Sequence, residues 1–423
     1  MIKKIIAFVL LFSFIYQINY IFLPFNVPFV LGLIGFPLYI YNSSAIRNGD
    51  NKYVRDILLA LLPVAIVAFL SIVGNHSSDF YFVKWAIINA LYFFGAYFLF
   101  QLLKHSFRNF TVGRLVDLLV LCAVVQLSLA LVMYFSPEVK NVLQPLIHES
   151  EIAKEAMERA ASRLVGFGTH FFVSGTIHAF ILIMIAISFT LRKVSLFKSV
   201  VMMLSFIFIS IVGTVMARTT LVGVFFAIVI VLLRRRGKWV FISGLVVSTI
   251  ICGMSLCFLD FMSEEMDVLF NFGFESFTNF QKIGSFSTDS TDSMFRMYKF
   301  PTTWETWLWG DARYEAGIGY YMNTDIGFCR LIFYFGVIGL ITYMYFEYYI
   351  LKKIFPPRKY GNIIWSVLFC FVLVINGKGT YDIFPYACLF VFFVCPSELL
   401  RNSIKELLEI IRIAYGKKNS NRF

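Results

Sequence analysis

Charge is scarce in this sequence. Asp, Glu, Lys and Arg make up 15% of its 423 residues, against about 25% in a soluble domain. Histidine occurs five times and proline eleven. Cysteine occurs seven times, at 122, 252, 257, 329, 370, 388 and 395, an odd number without a CxxC pair. These shortages exclude a soluble enzyme, a disordered tail and a disulfide-stapled secreted domain. The cysteines read as small apolar packing residues. No DxD, P-loop or glycine-rich phosphate cradle occurs in the short basic loops, so a nucleotide-sugar transferase that needs a divalent metal has no evident place to bind either. No repeat of 20–50 residues is visible, which argues against an alternating-access transporter built from paired halves.

Hydrophobic runs are plentiful. Apolar residues account for 59%, fifty of them Phe, and the mean hydropathy is +0.77. The runs approach the ~20 residues needed to cross a bilayer, so the chain reads as an all-α polytopic membrane protein. Twelve apolar segments are expected, at about 5–23, 25–41, 57–73, 83–103, 115–135, 170–190, 199–217, 219–233, 239–259, 326–350, 362–376 and 383–396. The first follows Lys3 and Lys4 without a small-residue cleavage site, so it reads as a retained span.

The formal net charge of +12 would suggest nucleic acid in a soluble protein. Here it divides by topology. Twenty-five of the 37 Lys and Arg fall on one side of the twelve-span map, with about 7 of the 25 acidic residues, for a net +18 there and −6 on the other side. By the positive-inside rule the basic side is cytoplasmic and carries both termini, including the basic tail at about 397–423. No nucleic-acid partner is implied.

The other side carries two long loops, at about 136–169 and 260–325. The first contains SEIAKEAMERAAS, where Glu155 and Arg159 pair at i,i+4 and Ile152, Ala156, Met157 and Ala160 share a face, as in an interfacial amphipathic helix. The second holds Trp304, Trp307 and Trp309, a Ser/Thr/Asp-rich stretch and Gly310, Gly317 and Gly319.

The unusual polar residues lie toward this outer side. Arg218, in VMARTTLVG, stands between two apolar runs; a charge there needs an interior partner unless it snorkels to the headgroups. Arg163 and His170 flank the glycines of SRLVGFGTH. Arg296 and Lys299 come late in the second loop, where plain solvation is the other reading. Asp325 and Arg330 sit at the start of the tenth segment, where an ion pair within the loops is the alternative. Several arginines converging on one vestibule suit a diphosphate, because guanidinium is always charged and binds phosphate oxygens bidentately without Mg²⁺. An aromatic-rich loop suits sugar faces, and Phe-rich spans suit a polyprenyl tail.

TDIGFCRLIFYFGVIGL, SRLVGFG and ARTTLVG together resemble the O-antigen polymerase family. The first matches its acid followed by an aliphatic helix with a glycine pair, the second its arginine-plus-glycine motif, and the third a small-residue–Arg motif shared with O-antigen ligases. The Arg296 to Gly310 spacing is looser than the family's. The resemblance implies a metal- and cofactor-independent glycosyltransferase of the bacterial inner membrane with two periplasmic loops. It would polymerise undecaprenyl-diphosphate-linked oligosaccharide repeats, with a chain-length regulator and a flippase as partners. It assigns Arg163, Arg218, Arg296 and Arg330 to the diphosphate, Asp325 to the base that accepts the attacking hydroxyl's proton, and His170 to that role alternatively. An O-antigen ligase, which commonly carries His where this chain has Asp325, and a polysaccharide flippase are the competing readings.

Overall fold

The computed structural model describes residues 1–43, 48–148, 164–169, 171–191, 194–233, 239, 241–246, 264–317, 319–357 and 361–394. They form a helical bundle: α1 (Ile2–Ile15), α2 (Val27–Ser43), α3 (Asn48–Leu59), α4 (Leu62–Gly74), α5 (Tyr81–Ser106), α6 (Val112–Phe135), α7 (Pro137–Leu143), α8 (Phe171–Leu191), α9 (Leu196–Met216), α10 (Thr220–Leu233), α11 (Glu264–Ile283), α12 (Asp289–Arg296), α13 (Trp304–Trp309), α14 (Gly327–Ile354), α15 (Asn362–Asn376) and α16 (Phe384–Val394). A two-residue hairpin, β1 (Glu315–Ala316) with β2 (Gly319–Tyr320), lies between α13 and α14.

Among the described residues six helices are long and apolar enough to cross a membrane: Lys52–Gly74, α5, α6, α8, α9 and α14. Four shorter apolar helices, Val27–Asn42, α10, α15 and α16, pack among them. The chain is a membrane-embedded all-α protein. Helix α8 is its axis, with every residue from Ser174 to Thr190 buried, as befits a helix that is apolar all round. Helix α4 is peripheral and turns Ile66, Phe69, Leu70 and Val73 outward. Close crossings depend on small residues, which let backbones approach. A Cβ on Gly32 or Gly35 of α2 would lie within 2.3 Å of the α5 backbone, and one on Gly223 of α10 would lie 2.2 Å from Ala179 of α8.

Helices overlie eleven of the twelve apolar segments, and the twelfth, 239–259, falls largely outside the described residues. The boundaries differ where polar groups act. Helix α1 stops at Ile15 rather than near residue 23. Gln17 adopts φ 49° there, and the Ile18 N–H returns to the Ser13 carbonyl (3.0 Å), a left-handed helix stop that hydropathy does not register. The stretch 137–146 is helical, whereas the amphipathic segment expected at 150–162 lies outside the described residues. Cys122, Cys329, Cys370 and Cys388 are free; Cys252, Cys257 and Cys395 lie outside the described residues.

Two departures from regular helix shape one end of the bundle. Helix α14 breaks at Phe335 and Gly336 (φ 68°, ψ −170°), backbone angles that essentially only glycine adopts. The break frees two carbonyls: Phe333 O accepts from Asp311 N (2.7 Å) and Tyr334 O from Ala312 N (2.9 Å). A Cβ on Gly336 would sit 2.0 Å from Leu308 O, and one on Gly310 (φ 69°) would sit 2.4 Å from Tyr334 O. The two glycines therefore interlock. The polar edge of α4 holds the same strap: Ser71 Oγ lies 2.7 Å from Trp309 O, Asn75 Nδ2 donates to Gly310 O (3.0 Å) and Ser77 Oγ to Ala312 O (2.6 Å).

The second departure is the turn 377–383. Helix α15 has 15 residues, about 22 Å at 1.5 Å per residue, short of a ~30 Å hydrocarbon core. The connection from α15 to α16 lies among buried side chains instead. Its polar backbone is met by the chain: Tyr343 Oη and Asn376 Nδ2 donate to Tyr381 O (3.0 and 3.1 Å), and Tyr298 Oη donates to Gly377 O (2.5 Å). Non-helical backbone inside a bundle of this kind needs such partners or a wet cavity.

Candidate functional site

The end of the bundle that carries the α4–α5, α9–α10 and α15–α16 connections and the stretch from α11 to α14 gathers the charged residues singled out in the sequence. Arg330 stands in the first arm of α14 and is 6% exposed. Its guanidinium carbon lies 3.7 Å from the Tyr314 ring centroid and 3.5 Å from that of Tyr320. Tyr320 is supplied by the hairpin, and Tyr314 is braced by Tyr81, stacked at 3.5 Å. Such a clamp suits a planar, weakly hydrated cation. Nη1 faces Asp325 Oδ1 at 3.6 Å, while Nε and Nη2 are buried without a hydrogen-bond partner. Buried N–H donors are normally satisfied, so two unused donors on one guanidinium make Arg330 a candidate for holding an anion.

Asp325 precedes α14 and is about half exposed. Desolvation raises its carboxyl above the ordinary carboxylate range, partly offset by the charges of Arg330 and Lys378. Lys378, which the sequence reading did not single out, comes from the 377–383 turn. Its ammonium donates to Thr219 Oγ1 (3.0 Å) beside Arg218. Its charge also acts on Asp325, so it links the α9–α10 connection to that carboxylate. A lone lysine between two short apolar segments reads as an ordinary connector charge; only the inward turn puts it here.

Arg218 occupies the α9–α10 connection, as expected of a charge that needs a partner. Its partners come from its own chain. Nε and Nη2 donate to Phe272 O (3.0 and 2.9 Å), Nη1 donates to Thr288 Oγ1 (2.8 Å), Nη2 pairs with Glu275, and the guanidinium lies 4.6 Å from the Phe272 ring centroid. Every nitrogen is engaged. Thr288 in turn caps α12 through Thr291 N (3.1 Å), so Arg218 fixes the α11–α12 unit to the bundle. Arg296 at the far end of α12 is exposed and donates to Ser293 Oγ (3.2 Å). Lys299 donates to Met322 O (2.8 Å). Arg163 and His170 lie outside the described residues; the stretch between them is anchored by Gln126 Nε2 donating to Phe167 O (3.1 Å).

A cavity of about 570 Å³ opens at the same end, between α5, α8, Tyr314 and the 377–383 turn. Among the described residues no three His, Cys, Asp or Glu side chains converge as a metal site requires. Chemically, the arrangement offers a buried guanidinium with two unpartnered donors and an ammonium, beside a half-exposed carboxylate with a raised pKa. It can hold an anion and accept a proton within a few ångströms of it. No family model matches the chain, and no curated protein matches its sequence.

Proposed function

We propose that the chain is a membrane glycosyltransferase that joins lipid-diphosphate-linked oligosaccharide repeats, as an O-antigen polymerase does. The observation that carries this reading is Arg330, buried between Tyr314 and Tyr320 with two unpartnered donors. In this reading the chain lies in the bacterial inner membrane through about twelve apolar segments, some of them partial spans, with both termini in the cytoplasm, and the loop-rich end faces the periplasm. The growing saccharide arrives on undecaprenyl diphosphate, alongside a chain-length regulator and a flippase. A hydroxyl at the non-reducing end of the incoming repeat attacks the anomeric carbon of that chain. The C–O bond to the diphosphate breaks as the new glycosidic bond forms. Asp325 takes the hydroxyl proton, and Arg330 and Lys378, with Arg296 at the rim, receive the departing diphosphate charge. Arg218 serves the site by holding α11 and α12 in place. Arg163 and His170 remain candidates for the diphosphate and for the base.

The test is chain growth on a defined lipid-linked repeat by the purified full-length protein. A ladder of products is expected from the wild type and single repeats only from Arg330→Ala. An unaltered ladder from Arg330→Ala removes the proposed diphosphate site. In cells, deletion leaves single repeats on the final acceptor if the protein is a polymerase, and polymer on the lipid carrier if it is a ligase.

A further inference from the structure

The cavity beside the arginine clamp has a chemistry of its own. On its wall the part-buried Asp382 carboxylate accepts from Trp85 Nε1 (2.9 Å), Asn89 Nδ2 (2.7 Å) and Phe384 N (2.8 Å). Behind it Glu347 of α14 is fully buried, its carboxyl without a hydrogen-bond partner. The bonds to Asp382 fix the indole and the amide in place, a rigid polar wall of the kind small-molecule sites use for orientation. The other walls are aromatic: Tyr92, Tyr343, Tyr381 and Tyr386 all line the space. The hydroxyl of Tyr381, a residue 4% exposed, is buried without a hydrogen-bond partner. Charges at the rim are Asp79, Lys84 and Glu315. With Asp382 of the wall these make three carboxylates against one ammonium, a balance that repels an anion, so the diphosphate belongs with Arg330 and Lys378 and not here. An acyl chain would meet the Asp382 carboxylate, amides and phenols among the apolar residues Ile88, Phe172 and Val173, whereas a sugar ring has both hydroxyls and C–H faces to match this mixed wall.

We infer that this cavity is a binding site for a neutral sugar ring, with the faces of its tyrosines and Trp85 against the ring's C–H surfaces and Tyr381 Oη, Asn89 and Gln17 on its hydroxyls. The volume lies within the 300–1,000 Å³ range of small-molecule sites. The inference rests on the reading above only for which molecule brings the sugar. It divides the substrate by charge: saccharide in the acidic aromatic cavity, diphosphate on the cationic side of Tyr314, whose ring borders the cavity and stacks on Arg330.

The experiment is calorimetric titration of the purified full-length protein in detergent with a panel of neutral methyl pyranosides, including N-acetylated ones. At least one is expected to bind saturably. Tyr381→Phe, which keeps the ring and removes only the unpartnered hydroxyl, should weaken binding about tenfold. Asn89→Ala should do the same, with thermal unfolding reporting that each variant is folded. Inorganic pyrophosphate should not displace the glycoside. The inference is overturned if no panel member binds, if Tyr381→Phe binds as wild type does, or if pyrophosphate excludes the sugar. Glycoside binding without chain growth removes the polymerase reading alone. Chain growth without glycoside binding removes the sugar cavity alone.

Discussion

Substituting Lys for Arg330 separates charge from shape. Lysine keeps the cation but cannot lie flat between Tyr314 and Tyr320 or offer two parallel donors to a diphosphate. In this reading chain growth by Arg330→Lys falls about 10²-fold, the scale of losing one preorganised donor to a developing anion, while Arg330→Ala is inactive. In vitro ladder formation measures both. Asp325 gives a pH signature. Its carboxyl titrates above the usual range because of desolvation, so activity should drop on acidification while ordinary carboxylates are still ionised. Asp325→Asn should lack that limb and be slow at every pH. The sign for folding is opposite. A raised pKa makes the ionised carboxylate a cost to the folded state, relieved on protonation, so this group contributes no loss of stability over the acid limb. Glu347 makes a third residue test. Its buried carboxyl has no hydrogen-bond partner, so Gln removes the acid at constant shape and Leu removes the polar group altogether. Thermal unfolding in detergent should place both Glu347→Gln and Glu347→Leu at or above wild type, since each relieves a buried carboxyl without a partner.

At the scale of elements, the break in α14 and the turn 377–383 do most to assemble the site. Gly336→Ala should cost about 1–3 kcal/mol from backbone strain alone, plus the displacement of Leu308 O. Gly284 (φ 69°) has open space where its Cβ would be, so Gly284→Ala should cost only the strain, about 1 kcal/mol. Unfolding midpoints that rank the two the other way would remove the interlock as a structural determinant. Arg218→Ala should release α11 and α12, seen as faster proteolysis across 264–296 and about 2–3 kcal/mol of lost stability for its charged hydrogen bonds. The sequence makes much of this legible. Long apolar runs place the helices, and Arg218 announces its need for a partner because charge among apolar residues is costly. The partner itself is not legible, since Glu275 is one acid among many in a long loop. Gly336 and Gly339 are visible as a motif, but the helix break that they permit depends on a strap more than twenty residues upstream. The inward turn at 377–383 is hidden for a simpler reason. Hydropathy sees two apolar segments and an ordinary connector, so Lys378 and Asp382 pass as surface charges, and Glu347 counts among the acids of the far side.

For the whole molecule, the charge division predicts orientation. An engineered cysteine at Ser285 should react in intact cells with a membrane-impermeant maleimide, and one at Ser106 should react only after lysis; the reverse pattern would invert the topology. At the end opposite the candidate site, Lys353 pairs with Asp56 (3.1 Å) and Lys198 with Asp117, the basic residues that set this asymmetry doubling as ties between helices. The hydrogen bonds from α4 to the 309–314 strap join residues about 235 positions apart. That distance has a meaning during synthesis. When α4 leaves the ribosome, Ser71, Asn75 and Ser77 have only partners within a few residues, such as Ser71 O for the Asn75 amide and Asp79 N for the Ser77 hydroxyl, and they wait for the strap until more than half of the chain has followed. A nascent chain halted before residue 310 would hold its early helices without the strap across their polar edge, and this end of the bundle closes only when roughly the last quarter of the protein arrives.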